Sequence, residues 1–201
     1  MDFLILVMLV LSGVWFLRSV EQRSRVALLG SFLGKYQIEA LMENLTQGYL
    51  RALGENDPVR REQILNMLAA GEQSVALQFG SFATEFARLG EEQTRVSTLG
   101  MALPFATRLL PKATFDMREA LRIHARGLAE AANSGQHRLP RDKAFTMSAE
   151  LLLMQHTCHW FCRSKATASA RTLLRHQTPH EQLVASVAPA TRRDYQALVQ
   201  G

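Results

Sequence analysis

Two cysteines, two tryptophans, three tyrosines and six prolines are all that this 201-residue chain holds of those residue types. Two thiols do not make a disulfide framework. Cys158 and Cys162 lie one helical turn apart, where Cβ atoms stand about 5–6 Å from each other. A disulfide accepts roughly 3.5–4.5 Å, so a bridge between them would be strained. Free thiols suit a reducing compartment. Aromatics make up 7% of residues and are mostly Phe, and β-branched runs are scarce. Ala, Leu, Glu, Gln and Arg fill their place, which favours helix and argues against a sheet protein.

Catalytic signatures are missing as well. The chain has no phosphate-binding glycine loop, no His-Glu-x-x-His, no Gly-x-Ser-x-Gly and no dinucleotide fingerprint. Acidic residues are sparse in the second half: residues 1–107 carry 9 Lys/Arg against 11 Asp/Glu (−2), and residues 108–201 carry 14 against 7 (+7). A basic half attracts acidic partners, anionic lipid or nucleic acid. The last two short helices, the second opened by Arg192 and Arg193, are poor material for a self-standing nucleic-acid reader.

What is present begins with one long apolar run. Phe3–Leu17 is uninterrupted save for Ser12 and Gly13, and extends further if Arg18 snorkels and Val20 is counted. A membrane span needs about 17–25 residues, so this sits at the short end. A cleaved signal peptide is the competing reading. Against it, Asp2 and no Lys or Arg precedes the run, and Trp15, Phe16 and Leu17 stand where small residues would mark cleavage. Arg18, Arg23 and Arg25 follow the span, so the positive-inside bias places the carboxyl-terminal bulk in the cytoplasm. Unpaired thiols agree. Ala144–Cys162, the nearest rival stretch, carries Glu150, Gln155, His156 and His159 and reads as a buried helix.

Beyond the anchor, helical spacing continues from Val20 to Leu53. Asp57-Pro58 reads as an N-cap followed by Pro at the first helical position. Ile64, Leu68, Gly71, Val75, Phe79, Phe82, Phe86 and Leu89 then form a heptad-like stripe, either a core face or a self-association seam. Ser97–Ala113 is a connector, and Asp116 with Glu119 resembles a capping box. The next helix turns His124 inward as a core histidine. It also carries Arg118, Arg122 and Arg126 at i, i+4 spacing, a candidate anion or partner contact. Asn133–Arg141 is a polar loop. Arg141–Thr178, the longest stretch free of Gly and Pro, reads as one helix of roughly 55 Å. Thr178-Pro179-His180-Glu181 has the form of a capping box.

That long stretch contains His156-Thr157-Cys158-His159-Trp160-Phe161-Cys162. At about 100° per residue, Cys162, His159 and His156 lie roughly 40°, 100° and 160° from Cys158, too wide an arc for one helix to aim at one ion. A metal site on Cys158, His159 and Cys162 would need outside ligands such as His124 or His180. A thiol nucleophile would need a depressed pKa and a base, with His159 placed to serve Cys162 alone.

The sequence therefore predicts an all-α protein: a transmembrane anchor over residues 1–20, a juxtamembrane helix over 21–56, and a helical domain over 57–201. The cytoplasmic part is a bundle of about five to seven helices. Function reads as membrane-anchored assembly or interaction with no identifiable catalysis or cofactor, in a bacterial inner membrane. Its contacts would be the bilayer through residues 3–17 and a protein partner or second copy. The alternative is a tethered metal- or thiol-dependent enzyme or sensor using the Cys158/His159/Cys162 cluster.

Overall fold

A computed structural model describes residues 2–133 and 139–200, so the centre of the polar loop, including His137, lies outside the described residues. The protein is all-α. α1 (Asp2–Leu33) is one continuous helix with two unlike halves. Phe3–Leu17 is exposed throughout apart from half-buried Val7, whereas Gln22 and Leu29 are buried against the rest of the molecule. Phe3–Leu33 is long and apolar enough to cross a membrane.

The helix expected from Val20 to Leu53 is in fact two. α1 stops at Leu33, and α2 (Ile38–Gly54) begins after a turn closed by Gly34 N–H to Gly30 O at 2.9 Å and Tyr36 N–H to Leu33 O at 3.0 Å. Side-chain docking on α3 (Pro58–Phe86) holds the turn: Tyr36 packs edge-on to Phe82, Phe32 edge-on to Phe86, and Gln78 Oε1 accepts from Gln37 N–H. Packing against a neighbour outweighed the local periodicity.

α3 starts as the sequence predicts, with Asp57 accepting from Val59 N–H and Pro58 at the first position. It runs through Gly71 without a break, and a Cβ there would stand 3.3 Å from Leu45 Cδ2, so this glycine permits the close approach of α2. The Ile64–Leu89 stripe is an internal core face. Ile64, Val75, Phe79, Phe82 and Phe86 are buried against α2, α6 and α7, which leaves that stripe no seam for a second copy.

After α4 (Glu91–Thr94) comes a ribbon that the sequence did not suggest. β1 (Arg95–Ser97) pairs antiparallel with β2 (Thr114–Asp116), Val96 opposite Phe115. The connector between them, holding α5 (Ala106–Leu109) and a 3₁₀ turn at Pro111–Ala113, is therefore a closed excursion. Trp160 fixes its base, donating from Nε1 to Ser97 O at 2.9 Å and packing edge-on to Phe115.

α6 (Met117–Asn133) is capped by Asp116, which accepts from Arg118 N–H at 2.9 Å, while Glu119 pairs with Arg122 rather than closing a capping box. α7 (Pro140–Cys162) is the spine and packs on α1, α2, α3, α6, α8 and α9. The single helix expected over Arg141–Thr178 ends at Cys162. Arg163 leaves helical geometry, and extended Ser164 caps α8 (Lys165–His176) by accepting from Thr167 N–H at 3.2 Å. A Ser hydroxyl satisfies a free N–H of a new helix well, and the expectation passed over it for want of Gly or Pro. The box expected at Thr178 does not form either: its hydroxyl donates to His176 O, and α9 (His180–Ser186) follows Pro179. α10 (Pro189–Gln200) closes the chain.

Candidate functional site

Cys158, His159 and Cys162 do share one place. With Val26, Leu29 and Ile38 they line a groove of about 340 Å³ between α1 and α2 on one side and α7 and α8 on the other. It continues into a second space of about 410 Å³ where Glu39 and Glu43 face Arg171, Arg175 and His176. Both cysteines are free thiols. Burial pushes the Cys158 thiol well up and the Cys162 thiol up to about 11. That is the reverse of what a thiolate nucleophile needs. Burial likewise lowers His159 to about 4, so it is neutral at physiological pH.

A metal would require further ligands, and the two candidates are engaged elsewhere. His124 bonds Thr157, and His180 stacks on His156. Among the described residues no group of three or more His, Cys, Asp or Glu could hold a metal ion.

The arginine stripe on α6 is paired rather than open. Arg118 donates to both carboxylate oxygens of Asp116 and to Leu89 O, Arg122 pairs with Glu119 at 2.8 Å, and Arg126 pairs with Asp194 on α10. Like charges at i, i+4 repel modestly, and here each guanidinium meets a carboxylate, with Asp194 shared between Arg126 and Arg193. The stripe clamps β2, α6 and α10.

A buried polar cluster lies on the other face of α7. His124 Nε2 meets Thr157 Oγ1 at 2.9 Å, and Thr157 donates to Leu153 O at 2.9 Å, with Tyr195 OH 3.4 Å away. His156 Nε2 meets Ser169 Oγ at 3.0 Å, and its ring lies 4.2 Å from that of His180, centroid to centroid. Burial lowers both His124 and His156 to about 3. A general acid or base works best with a pKa near the working pH, so these rings serve as neutral hydrogen-bonding struts joining α6, α7, α8 and α10.

Two carboxylates are sealed inside. Glu72 on α3 accepts from Tyr49 OH at 2.6 Å and pairs with Lys143 on α7. Glu150 on α7 accepts from Ala188 N–H at 3.0 Å, its other oxygen lies against Gly127 beside Thr191, and burial raises its pKa to about 7. Sequence reasoning missed both, along with Thr157 and Tyr195. Glu150 left a trace in its position, a single carboxylate inside the apolar rival stretch. Tyr195 left none, because only the fold brings α10 back to α7.

Compared with known proteins, the chain matches no family model, no curated relative and no solved structure. The class defined by its own coordinates is an all-α protein whose first helix is long and apolar enough to cross a membrane.

Proposed function

We propose that the protein is a single-pass membrane-anchored helical module for assembly or interaction, held in a bacterial inner (plasma) membrane with its helical domain in the cytoplasm. One observation carries this reading: α1 passes without a break from an exposed apolar half into a half locked to the core. Leu29 is buried in the main core, Arg25 donates to Phe161 O at 3.3 Å, and Arg163 donates to Gln22 Oε1 at 2.8 Å. An anchor joined this way holds the domain at a fixed distance from the bilayer rather than on a loose tether. Arg18, Arg23 and Arg25 at the exit support the cytoplasmic orientation.

Interaction rather than catalysis is favoured by the chemistry of the buried groups: thiols pushed up, histidines pushed down, and arginines paired off. Exposed apolar side chains distant in sequence from the anchor, among them Leu50, Met67 and Leu77, are surface that a partner or second copy would cover. The test is twofold. A fluorescent reporter fused after Gly201 folds only in the cytoplasm and a phosphatase only outside it. Cross-linking in native membranes followed by mass spectrometry then reads the partner. A fluorescent fusion and one recurrent cross-linked species support the reading. An active phosphatase fusion overturns the orientation, and a stoichiometric metal lost in Cys158→Ser/Cys162→Ser overturns the non-catalytic reading.

A further inference from the structure

Among the described residues outside the anchor half of α1, the closed excursion between β1 and β2 carries a dense run of exposed large apolar side chains. Met101, Leu103, Phe105, Leu109 and Leu110 are all exposed, Met101 and Leu109 by 70% and 73%. From Gln93 to Phe115 the chain has no Asp or Glu, while Arg95, Arg108 and Lys112 lie within it. A water-facing connector would be expected to carry polar residues at such positions.

Its placement supplies the reason. Phe105 N–H donates to Glu21 Oε2 at 3.2 Å, on the first turn of α1 past the apolar run. Phe105, Thr107 and Arg108 share a hollow with Leu17, Val20 and Glu21, and Met101 and Leu103 share another with Arg18, Glu21 and Arg25. Phe3 to Val20 spans ~27 Å as a helix. That nearly fills the roughly 30 Å hydrocarbon core, and the headgroup layer adds about 5–7 Å beyond it. Glu21, and the segment bonded to it, therefore falls at headgroup depth.

The segment is also held rather than loose. Thr98 N–H bonds Ala113 O at 2.9 Å, and Ala166 N–H bonds Gly100 O at 3.0 Å. Phe105 sits at φ 56°, in the left-handed region that a bulky residue rarely adopts. Such strain persists where the surroundings impose it, and it gathers at working sites.

We infer that residues 100–112 form a second membrane contact, an interfacial patch that seats Met101, Leu103, Phe105, Leu109 and Leu110 at the headgroup–acyl boundary of an anionic bilayer. Arg108 and Lys112 meet lipid phosphates from the rim. Arg108 is largely exposed, with Glu92 4.0 Å away, so it is free to turn to the lipid. Interfacial elements of this kind sink about 5–10 Å and combine apolar burial with attraction to anionic lipid. With α1 as one attachment and this patch as the other, the domain is fixed in tilt as well as in height. The inference rests on α1 crossing the bilayer.

Full-length chain carrying Cys158→Ala and Cys162→Ala, checked for native helicity, is spin-labelled in turn at Leu9→Cys, Leu109→Cys and Leu174→Cys. Each is reconstituted in phosphatidylcholine vesicles with and without phosphatidylglycerol. Oxygen-against-nickel accessibility then reads depth. The expected result puts Leu9 in hydrocarbon, and Leu109 at the interface with an oxygen-to-nickel ratio severalfold above that of water-facing Leu174. Leu109 should sit deeper when phosphatidylglycerol is present. Leu109 matching Leu174 while Leu9 stays in the bilayer overturns the patch and leaves the anchor standing. A covered Leu109 with spin–spin broadening names a second copy as the occupant and overturns it too. Equal depth in both lipids removes the role given to Arg108 and Lys112. Leu9 in water overturns the anchor itself. Hydrogen exchange of residues 101–110 in the unaltered protein gives a second reading: slower exchange in anionic than in neutral nanodiscs supports the contacts of Arg108 and Lys112 with lipid phosphates, and equal rates contradict them.

Discussion

The guanidinium of Arg163, at the break between α7 and α8, donates a 2.8 Å hydrogen bond to Oε1 of Gln22 on α1. Gln22 is nearly buried, so removing its partner leaves an amide oxygen without water or donor, at a cost of about 1–3 kcal/mol. Arg163→Ala is expected to lower the unfolding free energy by that amount. It should also raise hydrogen exchange in residues 21–33 of α1 more than elsewhere. Exchange mapped by peptide mass spectrometry checks this, and a uniform change across the chain would detach the break from the anchor.

Glu72 serves three helices at once: its own α3, α2 through Tyr49, and α7 through Lys143. Tyr49→Phe removes one hydrogen bond and keeps the ring, so a loss of about 1–2 kcal/mol is expected. Glu72→Ala strands Lys143 and should cost about 3–5 kcal/mol. Denaturant melts of the two variants give the order; equal losses would mean that Lys143 finds another partner.

Gly127 lies on α6 where a Cβ would stand 2.5 Å from both Glu150 Oε2 and Thr191 Oγ1. A glycine-to-alanine change inside a helix ordinarily stabilises by roughly 1 kcal/mol. Here the clash reverses the sign, because Glu150 cannot withdraw without releasing Ala188 N–H. Gly127→Ala should destabilise by about 1–3 kcal/mol, read by thermal denaturation. A more stable variant would show that the α6–α7–α10 junction is loose.

Stability should also depend on pH in two opposed windows. His124 and His156 fall from 6.5 to about 3 on folding. Their stabilising contribution is complete above 6.5 and is lost as pH falls toward 3, by about 1.4 kcal/mol per unit for each ring. Glu150 rises from 4.5 to about 7, so its contribution is complete below 4.5 and is lost as pH rises to 7. Between 4.5 and 6.5 the carboxyl offsets one histidine, and below 4.5 both histidines act unopposed. Maximum stability is expected near pH 6.5. Glu150→Gln keeps the acceptor for Ala188 and removes the alkaline loss, on the order of 3 kcal/mol at pH 8. Denaturant melts from pH 4 to 8 test both limbs.

The helical class and the apolar first segment were legible because each depends on local pattern: composition, a charge-free run, and the Asp57-Pro58 cap. The breaks after Leu33 and Cys162 were not. The first is held by Tyr36 and Phe32 docking on α3, and the second by a single Ser164 cap in a stretch without Gly or Pro. The His156–Cys162 motif divided as its helical angles required. The cysteines face one groove, while His156 faces the polar cluster. That cluster stayed hidden because Thr157 and Tyr195 are 38 positions apart and meet only through the return of α10. The carboxylate that pairs with Arg126 on α6 stayed hidden for a related reason: Asp194 lies at the far end of the chain.

The central claim is that the first helix remains in the mature protein and holds the domain to a bilayer. Alkaline carbonate extraction of native membranes, followed by intact-mass measurement of the recovered chain, tests it most directly. The account predicts a membrane-pelleted protein whose mass includes the whole of α1. A chain released into the supernatant, or one whose mass shows cleavage after the Phe3–Leu17 run, would contradict it.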